Sequence, residues 1–198
     1  LTTRRQRQMC IRDRFNGVSS VTSADVVASN GIVHIVDAVI GLPSVVTFAL
    51  ADPNFSSLVQ ALTAYDYPQS FVGLLSIPAG SAPSPFTVFA PVNSGFESLL
   101  DELAVNSLYD IDEQTLGAVL SYHVVVSVNQ MSNTLSDGMV ITTSLAQANP
   151  SIADLTFNVG DNGEGILTDN NGRTSNIIAV DVQADNGIIH AIDTVVLP

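Results

Sequence analysis

Three histidines, one cysteine and nineteen acidic residues are the groups with which this 198-residue chain could do chemistry. Histidine serves as a base, a partner of a nucleophile or a metal ligand, but each role needs a second group at a defined spacing. The chain has no G-x-S-x-G, no phosphate-cradling G-x-x-x-x-G-K-[ST], no H-E-x-x-H and no C-x-x-C. His34 and His190 occupy equivalent positions of an internal repeat, so a catalytic triad would have to recruit His123. No serine in a strained-turn context stands out as its partner. The expectation is a chain that is not an enzyme, with no catalytic residue, no metal ligand set and no cofactor. The loops DNGEG at 161–165 and DNNG at 169–172 hold oxygen donors, yet lack the twelve-residue spacing and bidentate Glu of an EF-hand. Hairpin turns explain them, since Asn and Gly tolerate positive φ.

His190 alternates with Ile188 and Ile192, so it shares a strand face with two apolar residues and reads as a hydrogen-bonded core histidine. His34 is the same residue in the other repeat copy. Asp193 falls on the opposite face, where backbone or turn groups would hold it. Asn186-Gly187 is a tight-turn signal that sets the register of the last strand. Tyr122-His123 has two readings. The helical face carrying His123 is apolar, which suits a hydrogen-bonded plug, whereas Tyr is enriched at binding hot spots. Tyr122 and His123 are therefore the candidate binding residues.

The elements that position these residues follow from pattern. Asp52-Pro53 reads as an N-cap followed by proline, with Phe55, Leu58, Val59 and Leu62 on one helical face. The apolar run at 87–90 before Pro91 predicts a buried strand, and Ser94-x-x-Glu97 predicts a capping box opening a helix to about Leu103. A further helix from near Asp112 carries Leu116, Val119, Leu120 and His123 and runs straight into a strand at 124–126. Beyond it the period turns alternating, with strands predicted at 139–142, 155–159, 165–168, 177–182 and 187–196. Helices first and strands later argue for an α+β domain.

Composition excludes several partners. Six Lys+Arg face 19 Asp+Glu, a net charge of −13. Five of the six are Arg4, Arg5, Arg7, Arg12 and Arg14, so 15–198 holds 18 acids against Arg173, a net of −17. Such a surface repels nucleic acid and anionic membranes, and it could gather divalent cations diffusely. With 46% hydrophobic residues and a mean hydropathy of +0.34 the chain buries a core. Its most apolar stretch, 31–51, contains His34, Asp37 and Pro43 and alternates as a strand does, so no direct membrane insertion is expected. The lone Cys10 leaves the redox compartment open.

The repeat itself spans 19–40 and 175–196, where ten of 22 positions are identical at a constant offset of 156. Both copies run to Leu-Pro, at Leu42-Pro43 and Leu197-Pro198. The expectation is a tandem array in which 15–43 is the C-terminal fragment of a preceding domain and 44–198 one complete domain. Residues 1–14 have no amphipathic period and the opposite charge. They resemble translated adapter sequence and are expected to be foreign to the fold or disordered.

TVFAPVNSGF at 87–96 resembles the first signature of fasciclin (FAS1) domains, commonly TVFAPTNxAF, with Val92 where Thr is usual. Tyr122-His123 resembles their Tyr-His motif, and NGIIHAID at 186–193 with VVLP at 195–198 resembles NGxIHxIDxVLxP. The order and spacing are those of the family. The resemblance implies an α+β fold, a β-wedge or sandwich of mostly antiparallel strands flanked by several short α-helices. It also implies that Thr87, Phe89, Pro91, Asn93, Asn186, Gly187, His190 and Asp193 shape the domain, and that adhesion involves the Tyr122-His123 region. The expected function is a non-enzymatic extracellular adhesion or interaction module in a tandem array, secreted or at the cell surface. It would bind a protein or glycan weakly per module, with avidity from repetition. A passive spacer is the alternative, and a hydrolase built on His123 a third reading.

Overall fold

A computed structural model describes residues 19–68, 70–149 and 154–198; the segment 1–14 lies outside them. An exposed hairpin, β1 (Val21–Ala28) and β2 (Gly31–Val36), comes first. Helices α1 (Val45–Ala51), α2 (Ser56–Thr63) and α3 (Phe71–Leu75) follow, then strand β3 (Phe86–Pro91), α4 (Asn93–Leu103) and α5 (Glu113–Tyr122). The remainder comprises β4 (Val124–Val126), β5 (Met139–Ile141), α6 (Ser144–Ala148), β6 (Leu155–Val159), β7 (Gly165–Thr168), β8 (Thr174–Ala184) and β9 (Gly187–Ile192). Strands β3 to β9 form a sheet of order β4-β3-β9-β8-β7-β6-β5. Every pairing in it is antiparallel except β3 with β9. The fold is α+β.

The two longest sequence signatures are thus neighbouring strands, in register from Phe86 opposite Gly187 to Pro91 opposite Ile192. Both strands are buried along their whole length. Alternation sends Phe86, Val88 and Ala90 into a core with the helices. Phe89 goes to the other side, where it joins Tyr122, Leu155, Leu167 and Ile192. Close approach fixes the register: a Cβ on Gly187 would stand 2.2 Å from the Phe86 carbonyl oxygen.

Several boundaries differ from expectation: the last strand ends at Ile192 and not at 196, and Asp52-Pro53 opens a 3-10 turn, Pro53–Phe55, ahead of α2. Residues 45–51 are helical, not strand-like, because Ser44 accepts a hydrogen bond from the Thr47 N–H at 3.2 Å and caps the turn. Val45, Val46 and Ala49 then face the core, a set compatible with either period over so short a run. Ser94 is not an N-cap. The extended backbone of β3 runs on to Val92, whose N–H donates to the Ile192 carbonyl at 3.0 Å, so the helix opens at Asn93 and places Ser94 inside its first turn.

Asn186 does more than make a turn. Its Oδ1 accepts from the Val45 N–H at 3.0 Å, and its Nδ2 donates to the carbonyls of Leu75 at 2.7 Å and Ile77 at 2.8 Å. One buried amide therefore joins α1, the end of α3 and the β8–β9 turn. Asn186→Ala leaves these main-chain groups unpaired and should cost about 3 kcal/mol, read from chemical denaturation. Gly187→Ala should destabilise at least as much. The equivalent Gly31→Ala should leave the midpoint unchanged, since nothing lies within 4 Å of a Cβ there.

Candidate interaction site around Tyr122 and His123

Helix α5 is capped by Asp112, whose Oδ1 accepts from the Thr115 N–H at 2.9 Å. Its last residue is Tyr122, and His123 closes it before the β-branched run 124–126 becomes β4. The His123 main chain accepts from the Phe89 N–H at 3.0 Å. Its ring lies 2.7 Å from the Val119 carbonyl through Nδ1, and Nε2 accepts from the Val196 N–H at 3.2 Å. These partners assign the neutral Nδ1–H tautomer. His123 thereby ties α5 to β3 and to the segment after β9.

Neither residue of the pair is on the surface: Tyr122 is 0% and His123 3% exposed. Of the two readings of the pair, this burial fits the hydrogen-bonded plug. The hydrolase reading also loses its geometry, because both His123 ring nitrogens are engaged by main-chain groups. The Tyr122 hydroxyl faces the Asn170 backbone without a well-formed hydrogen bond. Burial, with the charges of Asp169 and Asp154 behind it, pushes this phenol up to about 12.

The other signature residues bridge segments. Thr87 Oγ1 accepts from the Gln130 N–H at 2.8 Å and donates to the Val128 carbonyl at 2.9 Å. His190 stacks on Phe89 with ring centroids 5.5 Å apart, takes the Asp181 N–H on Nδ1 and reaches the Gln130 carbonyl through Nε2 at 2.8 Å. Asn93 accepts from the Ser57 N–H at 2.9 Å and donates to the Pro53 carbonyl, holding the start of α2. Asp193 accepts from the Asn176 N–H and Nδ2 and from Ser175 Oγ. Pro91 ends β3 opposite Ile192. The Asp169 carboxylate is occupied by the N–H groups of Asn171, Arg173 and Leu197, as suits a turn. The 161–165 loop closes likewise, Gly160 N–H donating to the Glu164 carbonyl.

The outer side of α5 borders a surface that its sequence pattern does not announce. A cleft of about 570 Å³ is lined by Tyr67, Phe71, Leu74, Glu113, Gly117 and Ser121, among others. Tyr67 packs edge-on against Phe71 at 5.0 Å and against Tyr65 at 5.9 Å, and its hydroxyl donates to the Ala61 carbonyl. Burial, then the neighbouring Tyr65 and Glu113, raises the Tyr67 phenol to about 12. The rim is acidic, with Asp112 and Glu113 exposed. The available signal was the aromatic cluster Tyr65, Tyr67 and Phe71 in a stretch of weak helical pattern.

The sequence profile of the Fasciclin domain matches residues 53–198. The chain belongs to the Fasciclin domain family. Among the relatives of this fasciclin chain, Uncharacterized protein sll1735 of Synechocystis sp. is 32% identical over 156 residues, covering 79% of this chain and 98% of that one. Human periostin is 28% identical over 92% of this chain, which spans only 20% of periostin. A solved FAS1 domain pair from the insect cell adhesion molecule fasciclin I superposes with a TM-score of 0.62 at 25% identity, covering 92% of this chain and 61% of that one. No helix among the described residues is long and apolar enough to cross a membrane.

Burial lowers the His123 pKa of this fasciclin domain from 6.5 to about 4, outweighing the bond to Val119 and the Asp169 charge. The unfolded chain therefore takes up a proton first as pH falls. Stability is full above 6.5, declines from 6.5 to 4, and loses roughly 3 kcal/mol in all. Asp193 acts in a lower window. Its burial is outweighed by hydrogen bonds from Asn176, Thr194 and Ser175, so its contribution is lost only as pH drops below 3.8. Denaturation at pH 7 and pH 4.5 should show the first loss, and His123→Gln, although less stable at pH 7, should flatten that slope.

Proposed function

We propose that this fasciclin domain is a non-catalytic adhesion or interaction module that acts outside the cell, secreted or at its surface. Its contact surface is the cleft between α3 and α5, and its partner is a protein or glycan presenting basic or neutral groups. The observation that carries this reading is an aromatic floor of Tyr67 and Phe71 under an acidic rim of Asp112 and Glu113. Ser121 and Val124, on either side of Tyr122-His123 in the chain, line the cleft, whereas the two rings themselves are buried. Similarity to a domain pair from a cell adhesion molecule supports the same class of function. The excess of acids disfavours nucleic acid and favours complementary charge, with weak contacts multiplied by repetition.

Attachment of cells or matrix-coated beads to the immobilised chain tests this, with circular dichroism to confirm folding. Glu113→Arg on the rim and Ser121→Trp in the cleft should each lower attachment on the order of fivefold. Addition of EDTA reports any contribution from diffusely held cations. Attachment that ignores both substitutions moves the contact elsewhere. A wild-type chain that holds nothing beyond an unrelated acidic protein supports a passive spacer instead.

A further inference from the structure

The hairpin β1–β2 reproduces β8–β9 in three dimensions. Val21 pairs with Val36, Ser23 with Ile35 and Val26 with Val33, and adding 156 to each number gives the pairs Ile177–Ile192, Ala179–Ala191 and Val182–Ile189. Both contain the same irregularity, with Asp25 and Asp181 each at φ 58°. In both, the Asp N–H donates to the Nδ1 of the paired histidine, at 3.2 Å for His34 and 3.4 Å for His190. In both a serine Oγ reaches across to a carbonyl, Ser19 to Ala38 and Ser175 to Thr194.

What differs is burial. Ile188, Ile189 and Val195 are 0%, 4% and 1% exposed, whereas their equivalents Ile32, Val33 and Val39 are 58%, 51% and 90% exposed. The small residue that lets β3 approach β9 is also duplicated: Gly187 meets the Phe86 carbonyl, while Gly31 meets nothing. Asn30, equivalent to the triply bonded Asn186, is exposed. A preformed hairpin therefore presents an apolar face and an unpaired strand edge, features that folded proteins normally cover.

We infer that β1–β2 is the closing hairpin of a second fasciclin domain, whose β3-type strand of TVFAP character docks in parallel along the open edge of β2. The seat is defined inside this same molecule, where β3 lies in register against β9. A β3-type strand brings its carbonyl to Gly31, an apolar layer to Ile32 and Val33, and main-chain partners to the free edge. A second copy of this chain is not the occupant, because its own β3 is already paired with β9 and β4. The inference rests on the family and the repeat and is independent of the proposed adhesive role.

The test is a fusion in which a second copy of the 84–93 segment precedes the full chain through a Gly/Ser linker, giving millimolar effective concentration. Hydrogen exchange by NMR should slow at least about tenfold, relative to the chain alone, at those β2 amides not bonded to β1. Gly31→Val should abolish that protection in the fusion while leaving the unfused chain folded and unchanged. Absence of protection overturns the inference. Protection that survives Gly31→Val overturns the parallel seat, and concentration-dependent protection of the unfused chain makes a second copy the occupant.

Discussion

The parallel pairing of β3 with β9 is the constraint on which the domain depends. These strands come from segments about a hundred residues apart, so nothing local holds them together, and parallel pairing supplies no hairpin to set the register. The register comes from steric and polar details instead. Gly187 admits the Phe86 carbonyl, Asn186 accepts and donates to three neighbouring main-chain groups, and the stack of Phe89 on His190 fills the next layer. Each of these groups is lost to its neighbours if the strand slips by one residue.

His123 works in the same frame from the side. Its main chain reaches β3 at Phe89 and its ring reaches the segment after β9 at Val196, while α5 supplies the third partner. His123 and His190 are in opposite tautomers, each dictated by which ring nitrogen meets a carbonyl and which meets an N–H. That chemistry explains why histidine, with a donor and an acceptor on one small ring, suits both positions. Most of the other motif residues are interior as well, with Asn93 and Asp193 half-buried.

Much of this architecture was legible in the residues. The strand period of the second half, the strand ended by Pro91, the helix running into Val124 and the duplicated hairpin all follow from short-range pattern. Helix α1 was hidden because Val45, Val46 and Ala49 fit both periods over seven residues, and Ser44 was the one signal that decided between them. The misplaced cap at Ser94 has a tertiary cause, since sheet pairing at Val92 fixes where extended backbone stops. The cleft was hidden for a similar reason. Tyr67 and Phe71 are far in sequence from Glu113 and Ser121 and share no pattern with them, so only the tertiary fold, with Tyr67 against Gly117 of α5, brings them to one cleft.

The order of strands has a consequence for synthesis. Strand β9 lies in the interior of the sheet, between β3 and β8, yet it follows the other strands of that sheet in the chain. A nascent chain therefore holds β3, with its uniformly buried side chains, without a partner on that edge until residue 192 has cleared the ribosome. During that interval the helices can shield one face of the strand, but its edge is exposed to any compatible neighbour, including the hairpin of another unit. Closure is a late, long-range event, of the kind that slows folding and rewards the presence of a chaperone.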